Sequence, residues 1–287
     1  MKLVLGVLWM LHWLPLPILG RLGKALGTLL FYSLKGRRHI TLTNLRLCFP
    51  DKSEAERHAI AREHFQLFAR SALERSILWW ASESRLQKLM VIEPALPLET
   101  FKTEPVIILC PHFVCLDVAG AAIAMQISAC SMYSPQKNQA FDAALLKGRG
   151  RFKPQRLVTR REGIKPILRA LRDRHPYFML PDMDFGLQDA EFIPFFGHPA
   201  ATLTALPRLA AAARAKVIPV VATFLPDYRG WKVTFYPPWE DYPGEDITVA
   251  ARRMNAFIEA RVRELPADYF WAHRRFKTRP AGEAGVY

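Results

Sequence analysis

The chain of 287 residues has no P-loop, no dinucleotide-binding glycine fingerprint, no zinc-type His/Cys cluster and no Gly-x-Ser-x-Gly elbow. These absences leave no signal for phosphate-loop, nicotinamide, zinc or serine-elbow chemistry. Cysteine is scarce. The four residues Cys48, Cys110, Cys115 and Cys130 have no metal-site spacing, and a chain of this length needs no disulfide staples. They read as free thiols facing a reducing cytoplasm. Cys115 could in principle be a nucleophile, but buried structural thiols are far commoner. Acidic residues are few for the number of basic ones, 26 Asp and Glu against 40 Lys and Arg, which gives a net charge of +14. Such an excess fits a partner rich in negative charge: nucleic acid, phospholipid headgroups or an acidic protein. No recognisable nucleic-acid module is present, and neither an internal repeat nor a low-complexity segment is found.

Charge is missing altogether from Leu3 to Gly20. An apolar run of that length barely reaches across a bilayer core, and Pro15 and Pro17 would kink or end its helix. A second apolar stretch runs from Ala25 to Leu34, with Lys35, Arg37 and Arg38 behind it. A cleaved signal peptide fits poorly, because the stretch before the apolar run has one Lys and no small-x-small cleavage site follows. A retained anchor is preferred, either a single span or an in-plane helical hairpin, with a buried core helix as the bland alternative. The basic cluster would keep the body on the cytoplasmic side. Hydrophobic residues make up 51%, and mean hydropathy is slightly positive despite the charges. Part of the apolar surface is therefore expected to meet a membrane.

The rest of the chain alternates strands and helices, the pattern of one α/β domain. Ser53-x-x-Glu56 is a capping box opening a helix that runs to about Trp80. Residues 93–105 read as a loop or short connector. Ile164–Asp173, Ala201–Ala215 and Thr248–Leu265 read as helices. Tyr177–Leu180, Val217–Phe224 and Trp231–Tyr236 read as strands. Val106–Leu109 is a short β-branched run, a buried strand that ends at Cys110-Pro111-His112. An Ala-rich helix follows from Leu116 to Gln126. His112 then sits at the carboxyl end of a strand, where open α/β sheets bind ligands. Asp117 follows five residues later. Five residues turn about 140° on a regular helix, so the two side chains can meet only if His112 lies in the turn before the helix. An imidazole oriented by a carboxylate can take a proton from a substrate alcohol as that alcohol attacks an acyl group. The bland alternative is a capping histidine and a helix-start aspartate.

Basic side chains crowd between Lys147 and Arg174, opposed only by Glu162 and Asp173. A solvated face is the ordinary reading of such a run. Here Gly148, Gly150 and Gly163 would also let backbone amides approach an anion.

The segments now in view resemble the late acyltransferases of lipid A biosynthesis, the lauroyl/myristoyl-type members of the lysophospholipid acyltransferase superfamily. The resemblance spans nearly the whole chain. It rests on the apolar N-terminus, Asn44-Leu45-Arg46-Leu47-Cys48-Phe49-Pro50, Pro111-His112-Phe113-Val114-Cys115-Leu116-Asp117 and Lys147-Gly148-Arg149. It rests also on Arg161-Glu162-Gly163, on Leu180 through Gly186, on Phe192 through Gly197 and on Phe270 through Pro280, of which the last is the most specific. Members more often carry Glu where this chain has Asp117.

The resemblance implies a glycerolipid-acyltransferase-like fold, a mixed central sheet flanked by helices. Residues 1–34 would be a membrane anchor or interfacial helix, and residues 35–287 the acyltransferase domain. It implies acyl transfer from acyl-carrier protein to a hydroxyl of an acyl chain on the phosphorylated lipid A precursor, at the cytoplasmic face of the inner membrane. Anionic membrane lipids would be further partners, and nucleic acid would not. No metal or cofactor is needed, since a thioester is already activated. His112 would be the base and Asp117 its orienter. Arg149, Arg161 and Arg151 would hold phosphates or the thioester oxygen, with Gly163 beside them. Asp182 and Asp184 would lie near the acceptor or be plain strand-end turn carboxylates. Asn138 matches a polar family position. Arg274, Arg275 and Lys277 would be structural or face headgroups, and Phe192, Phe195 and Phe196 would line an acyl tunnel. Two rivals remain: another lipid acyltransferase with the same base, and a non-enzymatic basic membrane-binding protein.

Overall fold

Pro15 splits the apolar N-terminus in two. The computed structural model describes residues 2–287. In it α1 (Lys2–Leu11) ends before the prolines, and α2 (Leu16–Ser33) begins with Pro15 as its N-cap and Pro17 in its first turn. Proline is tolerated there because the first N–H groups of a helix have no partner to lose. The expected single span is therefore not formed. Among the described residues no helix is long and apolar enough to cross a membrane. The bland alternative fails as well, because much of α1 and one face of α2 are exposed.

The other face of α2 is buried through Leu19, Gly20, Gly23, Gly27 and Phe31. It packs along α4 (Glu54–Trp80). A Cβ on Gly27 would lie 2.3 Å from the Phe65 carbonyl oxygen, and one on Gly23 would lie 2.6 Å from the Arg70 Cα. Glycine is what lets the two helices come this close. Between them α3 (Lys35–Cys48) turns back. The Ser53/Glu56 capping box opens α4 as expected, with both of its reciprocal hydrogen bonds present.

The body follows. After α5 (Glu83–Leu89), β1 (Met90–Glu93) and the short α6 (Leu98–Thr103) comes β2 (Val106–Leu109), and then α7 (Leu116–Gln126). Next are β3 (Cys130–Tyr133), α8 (Gln139–Arg149), β4 (Arg156–Thr159), α9 (Lys165–Arg172) and β5 (Tyr177–Met179). A hairpin, β6 (Ala190–Phe195) and β7 (His198–Leu203), leads to α10 (Ala205–Ala213), β8 (Lys216–Phe224), β9 (Trp231–Phe235) and α11 (Ile247–Glu264). Seven strands form one mixed sheet in the order β1-β9-β8-β2-β5-β3-β4. All neighbours are parallel except β8 and β9. The expected α/β architecture with a mixed sheet and flanking helices is what the chain adopts. Two expectations are corrected. The helix expected over 201–215 begins only at Ala205, because Ala200 and Ala201 pair with β6. The expected loop over 93–105 holds α6.

β2 sits mid-sheet, and all four of its residues are buried. Ile107 and Leu109 join the core on one face of the sheet, and Val106 and Ile108 the core on the other. This is the two-residue alternation of a strand covered on both sides.

Candidate active site

The parallel register of β2 and β5 builds the site. Leu109 pairs with Met179. Three residues further along each strand stand His112 and Asp182, side by side at the carboxyl end of the sheet. The Asp182 carboxylate accepts the His112 Nδ1–H at 2.7 Å and the His112 backbone N–H at 3.0 and 3.2 Å. The Tyr269 hydroxyl nearby acts on the carboxylate in the same direction as these bonds. Burial alone would raise the Asp182 carboxyl. The facing His112 and these hydrogen bonds outweigh it, and they hold the group below the usual carboxylate range. With Nδ1 committed to an ionised partner, the ring presents its Nε2 lone pair. The loop carrying His112 is clamped by the C-terminal segment: Phe270 N–H donates to the His112 carbonyl at 2.9 Å and Val114 N–H to that of Asp268 at 2.7 Å.

The expected pair of His112 with Asp117 is not formed. Asp117 lies in the first turn of α7. It accepts from Arg75 Nε at 2.8 Å and Arg149 Nη2 at 3.2 Å, and lies 2.6 Å from Arg75 Nη2. Burial works to raise its carboxyl, but the two guanidiniums prevail and lower it. The five-residue separation turns Asp117 toward α4 and α8, and another strand supplies the partner of the ring. Arg75 carried no signal in the sequence; it is one of several arginines along α4.

His112, Asp117, Arg75 and Arg149 line one cavity of about 430 Å³. Its remaining walls are mostly apolar. Asp117, Gly120, Ala121 and Ala124 lie along a single face of α7, three and four residues apart. Their small side chains open the cavity along the helix. Leu145, Phe152 and Phe178 form other parts of the wall. The arrangement offers a base nitrogen, two cations that share one carboxylate, and an apolar slot.

The other expected site residues lie elsewhere. Asn138 is exposed and caps α8, accepting the Phe141 N–H at 3.1 Å. Arg161 and Gly163 are exposed on a short 3₁₀ turn outside the cavity. Arg151 donates to the carbonyls of Leu78 and Ala81 at the end of α4, a structural cap. Gly148 does line the cavity, packed so closely that a Cβ there would meet the Trp79 ring at 2.4 Å, but it lies inside α8, where its N–H belongs to the helix ladder and is not offered to an anion. Asp184 is buried and ties its turn to the C-terminus, accepting from Gly186 N–H and from the backbone and hydroxyl of Thr278. Its own N–H donates to His273 Nε2 at 3.0 Å. Burial, with Arg275 adding, pushes His273 down to about 4, which suits a neutral acceptor. Arg275 is buried and donates to the Ala201 carbonyl and the Thr202 hydroxyl. Arg274 is exposed beside the Tyr287 ring. The expected tunnel of Phe192, Phe195 and Phe196 is not formed: these side chains lie on and beside the β6–β7 hairpin, outside the cavity. Cys115 is buried outside the cavity lining, and burial foremost raises its thiol well above its ordinary value, an environment that suits a structural thiol.

Residues 1–278 match the family model described as bacterial lipid A biosynthesis acyltransferase. The chain belongs to this family. The chain is similar to the lipid A biosynthesis palmitoleoyltransferase of Escherichia coli (strain K12), 32% identical over 99% of this chain and 92% of the relative. The lauroyltransferase of the same strain is 30% identical over 99% and 93%, and the myristoyltransferase 34% over 94% and 83%. The two catalytic candidates and both arginines of this acyltransferase lie within the matched span.

Proposed function

We propose that this acyltransferase moves a fatty acyl group from acyl-carrier protein to a hydroxyl of an acyl chain on the phosphorylated, Kdo-bearing lipid A precursor. The observation that carries the reading is the His112 ring, fixed by Asp182 and facing an apolar slot with Arg75 and Arg149 beside it. His112 Nε2 takes the proton of the acceptor hydroxyl as its oxygen attacks the thioester carbon. The tetrahedral oxyanion forms within reach of Arg75 or Arg149. It collapses by breaking the C–S bond, and the departing thiolate takes the proton back from the imidazolium. An ester and a free thiol result, with no acyl-enzyme. Asp117 holds the two guanidiniums in place. The surplus positive charge suits a bisphosphorylated acceptor and an acidic carrier protein.

Residues 1–34 supply the membrane contact without spanning. Leu3, Val7 and Met10 on α1, Trp13 in the turn after it, and Ile18, Leu22, Leu26 and Leu29 on α2 are exposed large apolar side chains. At helical spacing they form apolar faces suited to lying in the plane of a bilayer surface. The setting is the cytoplasmic face of the inner membrane.

Purified protein given matched acyl-carrier protein and acyl-coenzyme A donors, with the lipid A precursor or a lysophospholipid as acceptor, tests the reading by mass spectrometry of the products. Transfer to the precursor from the carrier protein is expected. Transfer only to the lysophospholipid would overturn it in favour of a glycerophospholipid acyltransferase.

The slot also sets an expectation for chain length. A Cβ on Gly120 meets nothing within 4 Å. Gly120→Leu should therefore fit without clash and fill the slot one turn beyond Asp117. The kcat/KM ratio of long to short acyl donors is expected to fall at least about tenfold, the scale of one misfitted methylene in an apolar pocket. An unchanged ratio would mean that the chain lies elsewhere.

A further inference from the structure

A second concave site lies where α2, α3 and the start of α4 meet. Its rim carries Lys35, Arg38, His39, Arg46, His58 and Arg62, and no Asp or Glu lines it. Glu54 engages Arg46 and lies near His58. Among the described residues Lys35, Arg38 and Arg62 take part in no salt bridge. The floor is apolar: Phe31 and Leu42 are buried beneath the cations. None of these residues lines the catalytic cavity. Arg62 and Arg75 lie on the same helix, about 20 Å apart at 1.5 Å per residue.

The wall residue Tyr32 decides what fits. It is 57% exposed and ends the apolar stripe that runs up α2 through Ile18, Leu22, Leu26 and Leu29. A cationic cleft at the end of an apolar ridge matches a molecule with an anionic head and a hydrocarbon tail. An acidic protein would satisfy the cations and leave the ridge bare. We propose that this cleft binds the phosphate headgroup of an anionic phospholipid, at a site separate from the catalytic cavity. The phosphate takes hydrogen bonds and charge from Lys35, Arg38 and Arg62, and the acyl chains lie along α2. The proposal rests on the in-plane seating of α1 and α2. It adds to that seating a preference for anionic surfaces and a fixed orientation of the body.

The full chain is tested on phosphatidylcholine vesicles with and without phosphatidylglycerol. Lys35→Gln/Arg62→Gln alters two exposed side chains and should leave the fold intact. It is expected to weaken binding to the anionic vesicles roughly tenfold or more, in keeping with the contribution of each Lys or Arg near an anionic surface. Binding to pure phosphatidylcholine should not change. Arg169→Gln/Arg172→Gln removes the same charge from α9 and is expected to cost under about threefold, the small effect of peripheral charge. Equal losses from the two pairs would overturn the cleft in favour of the general field of the protein. Displacement by inorganic phosphate beyond that by chloride at equal ionic strength would reassign the cleft to free phosphate. Intact vesicle binding with lost affinity for acyl-carrier protein would reassign it to an acidic protein. The seating is read separately: Leu22→Ser/Leu29→Ser should weaken binding to both vesicle types. If it does not, the seating fails whatever the cleft does.

Discussion

His112→Asn is expected to retain the fold and lose roughly 10²- to 10⁴-fold in turnover, the usual contribution of a general base. Asparagine places an N–H donor near the position of the imidazole Nδ1 and has nothing in place of Nε2. The buried Asp182 carboxylate would keep a side-chain donor as well as the His112 backbone N–H, now that of the asparagine. His112→Ala removes the side-chain donor, which at 2.7 Å is the shortest of the bonds that His112 makes to Asp182. It should cost a further 1–3 kcal/mol or so of stability, the penalty for a buried acceptor that loses a partner. Activity and thermal melting of the two variants separate the roles. A folded His112→Asn enzyme that turns over like the wild type would remove the imidazole from the mechanism.

The residues that could be read from sequence are those whose signal is local. Val106–Leu109 is β-branched, continuous and too short for a helix, so β2 and the strand-end place of His112 follow from it. The Ser53/Glu56 spacing marks the start of α4 because a capping box satisfies two backbone donors within three residues. Pro15 and Pro17 mark the break between α1 and α2. The partner of His112 was not legible in the same way. His112 and Asp182 are 70 residues apart, and only the lateral order of β2 and β5 brings them together. Asp117, nearby in sequence, was the natural candidate, and the geometry of the helix start turned it away. Ala200 and Ala201 belong to an alanine-rich run whose composition favours helix. Their strand comes from pairing with β6, a tertiary effect that overrides propensity. Phe195 is buried against Tyr269 and Phe276, while Phe192, three residues earlier on the strand, stands half-buried on the opposite face. Nothing in their spacing distinguishes the hairpin from a tunnel wall. The resemblance of the N-terminus to a membrane anchor did not reveal the glycine face of α2 that holds it against α4.

Asp182→Asn is expected to be the most damaging conservative change in the site, with a loss in kcat approaching 10⁴-fold by analogy with the orienting aspartate of a catalytic triad. The carboxylate only accepts, so it requires Nδ1–H and leaves Nε2 as the base. An asparagine amide can donate to Nδ1 instead, which stabilises the tautomer with its proton on Nε2, where it blocks proton uptake. Asp117→Asn should act differently. It removes the charge that holds Arg75 and Arg149 side by side, so its loss should appear largely in KM and in the salt dependence of binding. Asp117→Glu should recover much of it, because the longer carboxylate can still bridge two guanidiniums. The discriminating measurement is the split between kcat and KM for Asp182→Asn, Asp117→Asn and Asp117→Glu under identical conditions. A kcat collapse in Asp117→Asn with near-normal turnover in Asp182→Asn would show that Asp117 swings onto the ring when substrate binds, and the assignment of Asp182 as the orienting group would fall.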